Sequence, residues 1–200
     1  MKASRRLVIA TRNDKKLLEL KRYLKGVSYE VASLKEYRKV PRIVENGDTF
    51  KKNAIKKAQR ISRFVKGLAV GDDSGLVVTA LNGAPGIRSS RFAGPGKRDK
   101  DNNRKLLRLM SGVPLNKRKA YFVCAAAICD NGKVVKIIEE RCAGLIAFEP
   151  KGSYGFGYDP LFLIPRYNKT FGQLGLKVKD RMSHRSKALK KVRNFLRNYL

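Results

Sequence analysis

Apolar positions along the 200-residue chain follow two spacings, and the alternation between them lays out the elements. Leu7-Val8-Ile9-Ala10 is a short unbroken apolar run of the buried-strand type. The polar turn Thr11-Arg12-Asn13-Asp14 follows, and then Leu17, Leu20 and Leu24 recur at helical spacing within Lys15 to Lys25. Tyr29 to Ser33 alternates as a strand does, and the segment from Pro41 to Gly47 has no regular period. Phe50, Ala54, Ala58, Ile61 and Val65 share one face of a helix from about Phe50 to Lys66, with Asp48 or Thr49 as its cap. Leu68 to Gly71 returns as a strand. A short helix over Arg104 to Met110 turns Leu106, Leu107 and Met110 inward. Ala120 to Cys129 and Val134 to Gly144 are long β runs around Asn131-Gly132, a strong hairpin signal. Leu161 to Ile164 predicts a further strand. Ala188, Leu189, Val192, Phe195, Leu196 and Tyr199 line one face of a C-terminal helix that Ser183 would cap. The length suits one domain, whole or split into two lobes, and no linker or repeat divides it.

Among these elements lie five stretches with chemical content. Asp72 and Asp73 follow an apolar strand directly and are followed by Ser74-Gly75. Adjacent carboxylates at a strand end raise each other's pKa, so a cation or catalytic work compensates them, unless the four residues form a plain Asp-Asp-Ser-Gly turn. The strand-turn-helix at Thr11 to Lys16 offers free backbone N–H groups, and Thr11, Asn13 and Lys16 either extend an anion pocket there or cap the helix in the ordinary way. Glu45 precedes a helix start and Lys57 lies on its body; Glu45 is a metal ligand or a loop carboxylate. Gly155-Phe156-Gly157-Tyr158-Asp159-Pro160 interleaves glycines with aromatics, which suits close backbone approach to a planar ligand and equally a tight self-packed connection. His184, the one histidine, and Arg185 occupy the first turn of the last helix, where the helix dipole disfavours cations unless an anionic partner is present.

Charge adds one feature. Lys and Arg number 46 against 16 Asp and Glu, a formal +30, which generates a field attractive to nucleotides, nucleic acid or anionic surfaces. The basic residues are scattered in pairs such as Lys51-Lys52, Lys97-Arg98 and Lys190-Lys191, without an arm or a recognisable nucleic-acid module, so solvated helix faces account for them as well. No apolar run reaches the roughly 18 residues of a membrane span, and the opening MKASRRLVIATRN has too short an apolar stretch for a secretory signal. Cys124, Cys129 and Cys142 are odd in number, fit no metal spacing and lie in or beside strand-like runs. Buried free thiols and a cytosolic setting are expected.

Taken together, Ala10 to Lys16, Glu45 to Phe50 with Asn53-Ala54, Asp72 to Leu76 through Gly83-Ala84-Pro85-Gly86, Gly155 to Pro160 and Ser183-His184-Arg185 resemble the inosine triphosphate pyrophosphatases across nearly the whole chain. The resemblance implies an elongated α/β fold, two lobes with a mixed sheet and a nucleotide cleft between them, in a homodimer. It implies hydrolysis of ITP, dITP and XTP to the monophosphate and pyrophosphate with Mg²⁺ as cofactor. On the matching positions, Thr11, Asn13 and Lys16 would hold the triphosphate with Lys57, within a segment that includes Arg12, Asp14 and Lys15. Glu45 and Asp73 would bind the metal, Asp73 would activate water, and Asp72 would support it. Phe156 would stack on the purine, with Ser74, Gly157, Tyr158, Asp159, Lys179, His184 and Arg185 around it.

Some positions depart from the family pattern. Lys52 stands where Glu is frequent, Arg12 and Arg88 are at variable positions, and Ser90 replaces a common Ala; none removes a proposed catalytic group. Two other readings remain: a basic nucleic-acid-binding protein, and a pyrophosphatase for other modified nucleotides like the septum-associated enzymes, against which Ser183-His184-Arg185 argues.

Overall fold

The computed structural model describes residues 5–96 and 98–199; Lys97 of the Lys97-Arg98 pair and the start of the opening segment lie outside them. The elements are β1 (Arg5–Ile9), α1 (Asp14–Tyr23), β2 (Tyr29–Ser33), α2 (Phe50–Val65), β3 (Leu68–Val78), α3 (Asp99–Leu109), β4 (Lys119–Asp130), β5 (Lys133–Ile146), β6 (Phe162–Ile164), β7 (Lys169–Thr170), α4 (Phe171–Met182) and α5 (His184–Asn198). The strands form a mixed sheet in the order β2-β1-β3-β4-β5-β6-β7. β1 runs parallel to β2 and β3, while β6 is antiparallel to β5 and β7. The fold class is α/β, as expected. Asn131 and Gly132, with φ of 48° and 80°, make the predicted turn between β4 and β5.

By contacts the chain forms two compact units: Met1–Asp73, Cys124–Glu140 and Lys187–Leu200 in the first, Ser74–Val123 and Arg141–Ser186 in the second. Each has its own core. In the first, successive residues of a strand pack on opposite faces, as the period of two requires. Leu7, Ile9, Leu68, Val70, Cys124, Ala126 and Ile128 meet Leu20 and Leu24 of α1 and Leu189, Val192 and Leu196 of α5. The opposite face is lined by Val8, Ala32 and Ala69 with Ile61 of α2, and by Ala125, Ala127 and Cys129 with Ala54 and Ala58. Both faces are covered, which is why β1 reads as an unbroken apolar run. In the second unit Leu76, Val78, Leu106, Met110, Phe122, Cys142, Ile146, Tyr158, Phe162 and Phe171 form the core. The Arg118 guanidinium is buried there and donates to the carbonyls of Ile146 (2.7 Å), Met110 (2.8 Å), Val113 (3.2 Å) and Ala147 (3.0 Å), tying the segment after α3 to the end of β5. All three cysteines are buried thiols outside any disulfide.

Three expectations change. β3 does not end at Gly71: it continues through Asp72-Asp73 to Val78, because both carboxylates meet ammonium groups (below) and the backbone keeps extended geometry where the residue types suggest a turn. α3 begins at Asp99, earlier than its apolar spacing shows, with acidic Asp99 and Asp101 in the first turn, where the helix dipole favours them. α4 has no counterpart among the elements that the apolar spacing predicts. Its period is broken by Gly175, whose φ of 68° and ψ of 179° interrupt the helix.

Candidate active site

The parallel pairing of β1 with β3 positions the first group of side chains. The register sets Ile9 beside Val70, and the Ala10 N–H donates to the Val70 carbonyl at 2.8 Å. There β1 ends and the chain turns toward α1, while β3 runs on to Asp72 and Asp73. The carboxyl ends of parallel strands are where open α/β sheets place their ligands. Asn13 caps α1, its Oδ1 accepting from Lys16 N at 3.1 Å, and Asn13 N donates to Thr11 Oγ1 at 3.2 Å. The capping alternative is thus realised, and it orients the Thr11–Lys16 turn. In the first turn of α1, Lys16 Nζ reaches Asp72 Oδ2 at 2.8 Å.

α2 supplies the complement. Its Lys57 ammonium meets Glu45 Oε2 at 2.8 Å, Asp73 Oδ1 at 3.1 Å and the Asp72 carbonyl at 3.0 Å. This meeting requires α2 to lie close on β3, and Gly71 permits it. A Cβ at Gly71 would stand 2.6 Å from the Ala54 carbonyl oxygen and 2.7 Å from the Ala58 nitrogen. Asn53 Nδ2 donates to Asp73 Oδ2 at 3.3 Å, and its Oδ1 accepts from Gly47 N at 2.8 Å, joining the loop that carries Glu45 to the same carboxylate. Burial pushes the Asp73 carboxyl up; Lys57 and Lys16 pull it back, and the net direction is upward. Burial alone would lower the Lys57 ammonium, but Asp73, Asp72 and Glu45 together hold it above its ordinary value.

Among the described residues no cluster of three or more His, Cys, Asp or Glu makes an all-protein metal cage. Glu45 and Asp73 nevertheless converge on one cationic point, the Lys57 ammonium. Two carboxylates of that kind suit a hard divalent ion such as Mg²⁺, which takes one or two carboxylates and fills its remaining positions with water and phosphate oxygens.

The second unit holds another group. Asp159 is 2% exposed, and its Oδ2 accepts from Phe156 N at 2.8 Å and from Lys179 Nζ at 2.5 Å. The Phe156 ring faces two cations, Lys179 Nζ 5.0 Å and Arg185 Cζ 5.3 Å from its centroid. Arg185 Nη2 donates to Ser74 Oγ at 2.6 Å. His184 is buried, its ring stacked on Phe122 with centroids 4.7 Å apart. Ser183 caps α5 as expected, its Oγ accepting from Ser186 N at 3.1 Å. Burial pushes the Asp159 carboxyl up, against the pull of Lys179.

The family model for the Ham1 family matches residues 7–195. The chain belongs to the Ham1 family. Among Ham1 relatives, a dITP/XTP pyrophosphatase of Desulforamulus reducens is 48% identical over 96% of this chain and 95% of that protein. One of Shouchella clausii is 43% identical over 92% of each. Among solved structures, a HAM1 protein from Coxiella burnetii superposes with a TM-score of 0.87 at 36% identity, covering 96% of this chain and 98% of that one. A nucleoside-triphosphatase, dITP/XTP pyrophosphatase, from Mycobacterium abscessus gives 0.78 at 39% identity, over 96% of this chain and all of that one.

Within this Ham1 chain the expected residues fall into distinct places. Lys16, Glu45, Lys57, Asp72 and Asp73 come together in the first unit, with Thr11 and Asn13 in the adjoining turn. Arg12 and Lys15 are exposed, and Asp14 points to Lys35, 2.7 Å away. Ser74, Phe156, Asp159, Lys179 and Arg185 come together in the second unit. Tyr158 lies in the core, its hydroxyl donating to the Ser89 carbonyl at 2.8 Å. Lys52 pairs with Asp48 at 2.8 Å on the surface of α2. Asn53 stands out in the sequence only as part of the Asn53-Ala54 motif. Its signal is its burial at a polar position on the apolar face of α2, which helical phase alone reveals.

Proposed function

We propose that this chain hydrolyses non-standard purine nucleoside triphosphates, dITP, XTP and ITP, to the monophosphate and pyrophosphate. The observation that carries the reading is the convergence of Glu45 and Asp73 on Lys57, beside Lys16 with Asp72, at the carboxyl ends of parallel strands. Phosphoryl transfer asks a protein for positioning, cations and a base, and these side chains supply all three. Lys16, Lys57 and the Thr11–Asn13 turn hold the triphosphate. Asp73, whose carboxyl burial holds above its ordinary value, takes a proton from water as the water oxygen bonds to the α-phosphorus. The bond from that phosphorus to the bridging oxygen breaks, and the charge on the departing pyrophosphate is met by the two lysines. Glu45 and Asp73 would hold Mg²⁺, which when bound supplies charge neutralisation on the phosphate oxygens.

The purine base, in this reading, is met by the group around Phe156. Phe156 offers a ring for stacking, and Lys179 and Arg185 offer donors suited to a 6-oxo group. Against a 6-amino group those donors would be left unpaired, at about 1–3 kcal/mol each. The family resemblance carries His184 to the purine edge as well; its buried ring stacks on Phe122. The family resemblance further carries a homodimer and a cytosolic setting, and three buried thiols outside any disulfide suit a reducing compartment.

Product analysis by ³¹P NMR tests the reaction. With dITP or XTP and Mg²⁺, the expected products are monophosphate and pyrophosphate. Orthophosphate with a diphosphate would place the cleavage at the wrong bond. No turnover, together with tight salt-sensitive binding of DNA or RNA, would favour the nucleic-acid reading.

A further inference from the structure

The Gly155–Asp159 loop is fixed at more points than Asp159 supplies, and the extra ones come from α3. Asp99 and Asn103 are four residues apart, so they share one face of that helix. Asp99 Oδ2 accepts from Gly157 N at 2.7 Å, and Asn103 Nδ2 donates to the Gly157 carbonyl at 3.1 Å. One side chain thus takes each backbone polar group of the residue next to Phe156. The neighbouring Asn102 works in the other direction, its Oδ1 accepting from Ala93 N at 2.7 Å and its Nδ2 donating to the Ser90 carbonyl at 3.4 Å. α3 therefore fastens the aromatic loop through one asparagine and the segment after the Gly86–Arg91 turn through the next.

Two further features separate the Gly157 contacts from ordinary loop packing. Asn103 is 8% exposed, and its Oδ1 is buried without a hydrogen-bond partner among the described residues. A buried acceptor left unpaired works against stability. The position keeps its amide for the one bond to Gly157, a local cost of the kind that functional sites carry. The loop itself also has little freedom for other anchors. Gly155 has φ of 82°, and a Cβ there would stand 2.0 Å from Asp159 Oδ2, so the backbone passes directly over the carboxylate that holds Phe156 N.

We propose that Asp99 and Asn103 are positioning residues for base recognition: as a pair they clamp Gly157 and thereby set the Phe156 ring at its place near Lys179 and Arg185. The role rests on Phe156 being the purine platform proposed above. Loss of the clamp lets the ring wander and weakens nucleotide binding, while the phosphate-side groups, which belong to the first unit, keep their arrangement.

The sequence contains no tryptophan, so Phe156→Trp provides a single fluorescent reporter at the ring itself. In that background, Asp99→Ala and Asn103→Ala should each increase acrylamide quenching and lower the anisotropy of the tryptophan, whereas Asp99→Asn, which keeps an acceptor oxygen, should restore the parent values. In the chain with Phe156 intact, Asn103→Ala should raise KM for dITP about tenfold with kcat within about twofold, and should erode the preference for dITP over dATP. Its melting midpoint should move by less than about 4 °C, since the variant also removes the orphaned oxygen. Unchanged quenching and anisotropy would overturn the clamp. A loosened reporter with unchanged KM and selectivity would overturn the purine assignment of Phe156, and the positioning role with it. Equal loss of kcat and stability with no change in KM would make the two residues merely structural.

Discussion

The Lys57 ammonium has three oxygen partners within 3.1 Å, and two of them belong to carboxylates. Asp73 is 7% exposed, so without Lys57 its charge would be left largely uncompensated in a poorly solvated place. Lys57→Met should therefore destabilise the fold by about 3 kcal/mol, read from denaturant midpoints, and remove activity as well. A variant of unchanged stability would show that the ion pairs contribute little. Asp73→Asn tests the other member. It keeps the shape and leaves Lys57 with Glu45 and the Asp72 carbonyl, while removing the base. Turnover should fall about a thousandfold with the melting midpoint retained or raised, since a carboxylate that burial disfavours is gone. A fully active Asn variant would mean that another group takes the proton. Asp72 and Asp73, adjacent in sequence, thus divide their partners, Lys16 for one and Lys57 with Asn53 for the other. Adjacency was visible in the sequence; the division was not, because it depends on successive strand residues pointing to opposite faces.

At the scale of elements, the close approach of α2 to β3 is the feature on which the first group of side chains depends. Gly71→Ala would drive a methyl group into the backbone of α2 at Ala54 and Ala58, and the helix, Lys57 included, would have to shift. A loss of about 3 kcal/mol together with reduced activity is expected in chemical denaturation and turnover assays; wild-type stability would contradict the packing. A second element-level consequence concerns the end of β4. Burial pushes the Cys129 thiol up to about 11, so the native state keeps its proton after the unfolded chain has released it. The sign follows: this contribution is fully present below about pH 9 and is lost as pH rises toward 11. The melting midpoint of the wild type, relative to that of Cys129→Ala, should fall across that range, and a constant difference would contradict it. Most of these elements were legible in the sequence, since β1, α1, β2, α2, the β4-β5 hairpin and α5 all carry strong periods. β3 beyond Gly71 was hidden because Asp-Asp-Ser-Gly has turn-forming residues and only tertiary ion pairs keep them extended. α4 was hidden by Gly175, which breaks the helical period in sequence as it breaks the helix in space. The role of α3 in holding Gly157 had no sequence signal at all, as Asp99, Asn103 and Gly157 meet only through the fold.

For the molecule as a whole, the formal charge of +30 is the largest departure from an ordinary composition. Surface acids are already taken up in local pairs, Arg6 with Glu30, Lys52 with Asp48, Lys35 with Asp14 and Lys191 with Glu140. The excess cations therefore repel one another, and that repulsion is greatest in the folded state. Raising NaCl from about 0.05 M to 0.5 M shortens the screening length from roughly 14 Å to about 4 Å and should raise the melting midpoint by about 4 °C or more. A fall would mean that the exposed ion pairs outweigh the repulsion. The same field draws in anions, and a nucleoside triphosphate is the anion that the proposed function gives this chain. The most direct test of that function compares kcat/KM for dITP and dATP with Mg²⁺ present, because the two substrates share their phosphates and sugar and differ only in the base. The account predicts a preference for dITP of at least about a hundredfold. Equal values would contradict it.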